Sequence, residues 1–528
     1  MNTRLIILLL IICIAQIANA QPVGTSDSVT VEILKADRLR IEKKPDGSTV
    51  QILSGGVQLR QGTTLFSCDS CIVNEGANMF EAFGKVHIND RNATNIYSNY
   101  LRYLLDIRYA YLKGAVRLTD NQGTLTTEEL EYDVANRIGV YKNGGRVVNK
   151  KSVLTSREGV YYADIKDIYF KTNVELKDPA YYLKSDSLLY NTETQVATFI
   201  SETFIRDSSN RTIRTSEGFY DQRMGRSEFT KRTTIVDNDV SITGDEIAND
   251  DASGTAQIRG NAVLIDEKQG VSILANEIFA NKKTEAYLAT KKPLMIIRQE
   301  QDSIYVTADT LFTARLTDLF ITPDSLKNDT GNIKRPAVTD STNRYFEAFR
   351  NVRIFTDSVQ AVSDSLFYSF KDSVFRFFDN PVIWSNKSQI TGDTIFLHTK
   401  NKKADHVRVF ENSLLINELD SGIYNQVKST KMDGYFTAGV IDSVRARGFA
   451  ESIYFLQDND SAYSGINEST SDVMDVYFVE GDLNKVVFRS AVKGTVWPIT
   501  QKNPGEMRLE GFSWHEARRP KTKYEMFE

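Results

Sequence analysis

Histidine and cysteine are scarce in this chain, and most metal and acid–base chemistry goes with them. The four histidines, His87, His398, His406 and His515, are spread over 528 residues, and none stands in a metal-ligand spacing. Of the three cysteines, Cys13 is remote from the other two, and Cys68-Asp69-Ser70-Cys71 has no second pair to complete a zinc site. There is no Gly-x-Ser-x-Gly elbow and no phosphate-cradling glycine loop, and no carboxylate pair stands out from background. The expectation is a non-enzyme with no catalytic residue, no metal and no cofactor.

Charge of one sign is also lacking. A net charge of −5 gives no electrostatic case for binding nucleic acid. Beyond the N-terminus no apolar run approaches the ~20 residues of a membrane-spanning helix. An outer-membrane barrel is disfavoured because the strand-like runs carry charge on both faces and lack aromatic girdles. Proline is limited to 10 residues, against 24 tyrosines and 28 phenylalanines. That balance suits extended, half-buried strands.

What is present begins with an export signal. Arg4 supplies the positive start, Leu5 to Ile14 an apolar run, and Ala18-Asn19-Ala20 a small-residue cleavage site before Gln21. Residues 1–20 read as a signal peptide, which places the mature chain in the periplasm, with the outer membrane as a further place of association. Leu10-Ile11-Ile12 before Cys13 lacks the small residue a lipoprotein needs. Cys68 and Cys71 are then the cysteines that remain. In an oxidising compartment they could be a redox pair or a disulfide, but in a straight strand positions three apart point to opposite faces, so bridging would need a bulge or turn, and they read first as two ordinary strand cysteines.

The rest of the chain is repetitive. A small-x-apolar-x-apolar pattern appears as Gly56-Val57-Gln58-Leu59, Lys85-Val86-His87-Ile88, Ala115-Val116-Arg117-Leu118 and Asn173-Val174-Glu175-Leu176. It returns at Ala262 to Ile265, Leu294 to Ile296, Val352 to Ile354 and Val382-Ile383. The spacing is about thirty residues, the signature of a stacked repeat. Alternation puts the two apolar side chains of each copy on one face. The inward residues on this reading are Val57, Leu59, Val86, Ile88, Val116, Leu118, Val174, Leu176, Val263, Ile265, Leu294, Ile296, Val352 and Ile354.

A second pattern, small-acid-small-apolar, alternates with the first: Ala36-Asp37-Arg38-Leu39, Ser185-Asp186-Ser187-Leu188, Gly244-Asp245-Glu246-Ile247, Ala308-Asp309-Thr310-Leu311, Ser363-Asp364-Ser365-Leu366 and Gly392-Asp393-Thr394-Ile395. The recurring acid is expected to cap a turn at the start of a strand. One acid per repeat is too few for a calcium-binding β-roll. A polar stretch from Thr317 to Asn343 breaks the rhythm, as a linker or long loop. The division this suggests is 21–316 as a first β-structure, 317–344 as the interruption, 345–500 as a second, more degenerate one, and 501–528 as a basic tail.

A signal peptide followed by tandem Ala-Asp-x-Leu and Gly-x-Val-x-Ile half-repeats resembles the OstA-like, LptA-type lipopolysaccharide-transport family, best from Val29 to Thr313 and from Tyr345 to Leu415. The resemblance implies an all-β fold, an elongated open β-jelly-roll of antiparallel strands in one or two stacked units. It also implies lipopolysaccharide or another acylated lipid held by its acyl chains in an apolar trough, here the inward residues named above. Partners would be other lipopolysaccharide-transport proteins, or further copies of the chain, joined by strand edges. Val29, Val31 and Ile33 are the candidate docking edge. The alternative is a closed β-solenoid, structural or adhesin-like, whose apolar interior is a dry core. Any stacked-repeat fold needs an apolar interior, so the pattern alone leaves both open.

Overall fold

A computed structural model describes residues 30–528, except 46, 92–93, 121–122, 300–302, 321–342 and 459–461. The signal segment, Cys13 and Val29 lie outside the described residues. The secondary structure described is antiparallel strand with a few short 3₁₀ turns.

The repeat builds bent strands. Thr49–Gln61 pairs with Thr64–Asn74 over two stretches, Val50 to Ser54 and Val57 to Gln61, with a register break between them. Such a break recurs in Met79–Asp90 between Phe83 and Val86, and in Tyr109–Thr119 between Lys113 and Val116. At each break two consecutive residues take the left-handed conformation, as at Gly55-Gly56, Gly84-Lys85, Gly114-Ala115 and Arg350-Asn351. A bulge of this kind turns the strand sharply. Each long strand therefore gives one half to each of two walls that meet at a crease. The walls face each other: Phe66 on one packs on Phe80 and Tyr103 of the other, with ring centroids 5.2 and 4.7 Å apart.

The recurring acid lies on this crease, and its expected role as a turn cap is corrected accordingly. The Asp37 amide donates to the carbonyls of Ser54 and Gly55, both at 3.1 Å, and the Asp245 amide to those of Arg259 and Gly260. The carboxylates accept from the asparagine of the facing bulge: Asn261 to Asp245 at 2.8 Å and Asn412 to Asp393 at 2.9 Å. A Cβ on Gly55 would lie 2.3 Å from the Asp37 carboxylate, and this is why a glycine faces that acid.

The described residues form two compact units, the first running up to Pro179 and including Asp186–Glu193, the second of Ala180–Ser185 with Thr194–Glu528. The expected boundary at 317–344 is not where they divide. Thr310–Arg315 pairs directly with Arg344–Phe355, from Thr310 opposite Phe349 to Arg315 opposite Arg344. In sequence the polar insertion thus falls between two strands that pair within one unit.

In the second unit the C-terminal tail is a strap. It runs back along the outer face of one wall, where Gln360, Trp384, Gln389, Ile416 and Gln426 follow one another across adjacent strands. Gln389 donates to the Ser513 carbonyl at 2.7 Å and accepts from the His515 amide at 2.7 Å. Gln426 does the same with Met507 and Leu509, at 2.9 and 2.8 Å. Each glutamine side chain pairs with tail backbone as a neighbouring strand would. Apolar residues fill the spaces between: Phe512 and Trp514 pack on Leu414, Ile416 and Tyr424, and Met526 on Leu294 and Phe355.

Candidate functional site: the interior between the walls

In the first unit the inward residues form an unbroken apolar row across successive strands. Register places Leu59 beside Phe66, Phe66 beside Ile88, and Ile88 beside Ile96. The row continues through Leu118, Leu125, Val147 and Leu154 to Leu176. Val57, Leu59, Val86, Ile88, Val116, Leu118, Val174 and Leu176 all face this interior as expected, none more than 3% exposed. Their strand partners Phe66, Ile96, Leu125 and Leu154 belong to the same row. The glycine-led pattern does not pick them out, because the half-strand before the acid motif has no leading glycine to mark it.

The row is open at its N-terminal end. Glu32–Lys35 and Arg38–Lys43 pair with Thr49–Gln61, and their other edges have no partner strand among the described residues. Ile33 stands opposite Leu59, Leu39 opposite Leu53 and Ile41 opposite Gln51. With no further strand to cover them they are 41%, 54% and 64% exposed. Val31, just before the first strand, is half-buried.

Opposite the crease, the free ends of the walls meet in a seam that is latched rung by rung. Tyr103 donates to Gln61 at 2.7 Å, Tyr132 to Asp90 at 3.3 Å, and Tyr161 to Asp120 at 2.6 Å. Asp90 is fully buried and pairs with Arg137 at 3.2 Å, and Lys166 pairs with Asp120 at 3.3 Å. Burial, and then the facing carboxylate, hold the Tyr161 hydroxyl well above its ordinary range. Tyr132 is raised by the same two causes. The latch is written in the repeat as tyrosine and, five residues on, a base: Tyr103 and Arg108, Tyr132 and Arg137, Tyr161 and Lys166. All three bases sit in the left-handed conformation of a hairpin loop, which disfavours such side chains by about 1 kcal/mol. At Arg137 and Lys166 a glycine would be less strained, but it would reach no carboxylate. This tyrosine–base spacing was a signal present in the sequence that hydrophobic periodicity does not detect.

In the second unit the corresponding row runs Leu183, Ile205, Ile213, Ile235, Ile242 and Leu264, then Ile273, Met295, Val306 and Ile354. Val352 and Ile354 face inward as expected. Val263, Ile265, Leu294 and Ile296 do not: Ala262, Leu264, Met295 and Ile297 are the buried inward residues there. The reason is that both faces of these strands are apolar. Leu294 and Ile296 pack outward in the cluster with Met526 of the strap, so alternation gives no phase. Ile383 likewise points in, while Val382 and Trp384 pack outward with Val362.

The interior of this unit holds two cavities among the described residues. A cavity of about 80 Å³ lies among Leu183, Phe199, Ile205, Ile213, Phe229 and Ile235. A second, of about 260 Å³, has an apolar floor of Ile304, Ile354, Phe375, Phe377 and Leu397 and a polar rim that includes Asp357, Lys402 and Lys403. Among the described residues no group of three or more His, Cys, Asp or Glu side chains is placed to hold a metal.

Residues 28–186 match the family model described as OstA-like protein. This segment is an OstA-like domain. It takes in the exposed N-terminal edge, the latched seam and the first apolar row. The candidate residues from Val57 to Leu176 belong to the OstA-like domain, and those from Val263 onward lie beyond the match. Among solved structures the chain is similar to LptH of Pseudomonas aeruginosa, described as the LptA-homologous periplasmic component of the lipopolysaccharide transport device. That likeness has 12% identity over 31% of this chain and 80% of that one, with a TM-score of 0.14. No curated protein matches.

Proposed function

We propose that this protein is a periplasmic, non-enzymatic lipid carrier in lipopolysaccharide transport to the outer membrane. The observation that carries the reading is the apolar row between the walls of the OstA-like domain, open at Ile33, Leu39 and Ile41. An acylated lipid gains ~0.8 kcal/mol for each CH₂ it buries, so an uninterrupted apolar track is the feature such a cargo requires. Lipopolysaccharide or another multiply acylated lipid is the ligand this track suits, and parting the latched seam would admit its chains. The unpaired edges of Glu32–Lys35 and Arg38–Lys43 offer backbone donors and acceptors for strand addition by a partner transport protein or a second copy.

The test is mass spectrometry of lipid bound to the purified mature protein, with photo-crosslinking residues placed singly at Leu39, at Ile235 and at the outward Arg117. Adducts from Leu39 and Ile235 are expected. Lipid-free protein, or adducts from Arg117 alone, overturns the reading. A second reading, a closed scaffold with a dry core, is favoured by the near-complete burial of Val57 to Leu176, and it predicts no bound lipid.

A further inference from the structure

The crease changes the geometry of the cysteine pair. In a straight strand Cys68 and Cys71 would face opposite ways, but the register of Thr64–Asn74 breaks between Ser67 and Ser70. Cys68 lies opposite Val57 on one wall, and Cys71 lies between Leu53 and Ala82 on the other. Both are buried, at 6% and 0% exposure. They stand on either side of the same register break and both are buried, so they face into the same concave bend.

Equivalent rungs show what ordinarily stands here. At Ser98-Asn99-Tyr100-Leu101 the Ser98 hydroxyl donates to the Tyr100 carbonyl at 3.0 Å while Leu101 fills the core. Ser363 to Leu366 repeats the arrangement, again at 3.0 Å. Thr127 and Leu130 occupy the same two places, with Thr127 donating to the Glu129 carbonyl at 3.2 Å. At this one rung both places hold cysteine.

We propose that Cys68 and Cys71 form a disulfide across the crease, a staple that fixes the angle between the walls two strands from the open end. The proposal rests on the export reading, because a reducing cytosol would keep both thiols free. The oxidant is a protein or small-molecule disulfide. One cysteine thiolate attacks it, forming a mixed disulfide and releasing one thiolate. The other cysteine thiolate then attacks the first sulfur and releases the second. The two cysteine protons end on the two thiols released, so two electrons leave the pair and enter the oxidant's disulfide. Since both sulfurs are buried once the walls close, the exchange belongs to the entering, still open chain.

The protein is recovered from the periplasm, denatured in excess iodoacetamide without reductant, and digested with trypsin. Gln61 to Lys85 is a single tryptic peptide containing both cysteines. The expected result is that it appears unalkylated and lighter by two hydrogens, and that it takes two alkyl groups after reduction. A doubly alkylated peptide from the unreduced periplasmic protein overturns the disulfide and leaves the export reading standing. A chain retained in the cytoplasm with both thiols free overturns both. The double variant Cys68→Ser, Cys71→Leu restores the residues of the Ser98 rung and should show no change in that peptide on reduction.

Discussion

The Tyr161 hydroxyl crosses the seam to the Asp120 carboxylate at 2.6 Å, and Lys166 closes on the same oxygen at 3.3 Å. Tyr132, Asp90 and Arg137 repeat this one rung earlier. The two walls are thus fastened by a ladder of polar contacts at one side and by apolar packing within.

Asp90→Ala leaves a partly buried Arg137 and the Tyr132 hydroxyl without their shared acceptor. Breaking a buried pair from one side costs about 3–5 kcal/mol. Denaturant unfolding should show a lower midpoint with an unchanged slope. Tyr132→Phe should cost only about 1 kcal/mol. Equal losses for the two variants would contradict a charge-centred latch.

Asp475 tests the opposite end of the chain. Its carboxylate accepts from Arg445 at 2.6 Å and Arg489 at 2.8 Å, and the Arg445 hydrogen bond, ahead of that from Arg489, holds it below the ordinary value of 3.8. A lowered folded value means that this stabilisation is fully present above 3.8 and is lost as pH falls through the folded value. In acid titrations of stability, Asp475→Asn should flatten that part of the curve and leave its shape near pH 7 unchanged. A curve that keeps its full acid slope would remove Asp475 from the account.

Gly55→Ala should destabilise by about 1–2 kcal/mol, since φ is +84° there and left-handed backbone disfavours a Cβ. The same change at Gly47, which is also left-handed but has nothing within 4 Å, isolates backbone strain from the clash with Asp37. Thermal denaturation of the pair, with Gly55→Ala the lower, is the expected order.

Removing residues 504–528 uncovers Trp384, Ile416 and Leu414 and strips Gln389 and Gln426 of their partners. The truncated protein should bind a hydrophobic dye strongly and self-associate in light scattering, while near-identical behaviour to the full chain would show the strap to be dispensable.

Ile235 faces the interior row and Val236, 38% exposed, faces away. Ile235→Asp should abolish lipid co-purification, whereas Val236→Asp should leave it within about twofold. Loss from both variants alike would point to misfolding, which circular dichroism of each reads directly.

The sequence made the repeat, the strands and the inward face of Val57 to Leu176 legible, because in the first unit one face of each strand is apolar and the other polar. The same rule lost its phase at Val263, Ile265, Leu294 and Ile296. There the outer face is apolar too, and its cover includes a strap more than two hundred residues away in sequence. The acid motif was found but misplaced, since a carboxylate that meets a bulge on the neighbouring strand looks locally like a turn cap. The expectation that Cys68 and Cys71 face opposite ways breaks down for a related reason: a two-residue periodicity holds along a straight strand and is lost at a bend.

The crease has one consequence for how such a chain varies in length. Every corner settles its hydrogen bonds between adjacent strands, as Asp245 does with Arg259, Gly260 and Asn261, and asks nothing of corners farther away. As far as the corners are concerned, a rung can therefore be duplicated or deleted without refitting the other corners. The number of rungs acts as a free dimension, a ruler that gene duplication can lengthen to match whatever distance the protein has to cover.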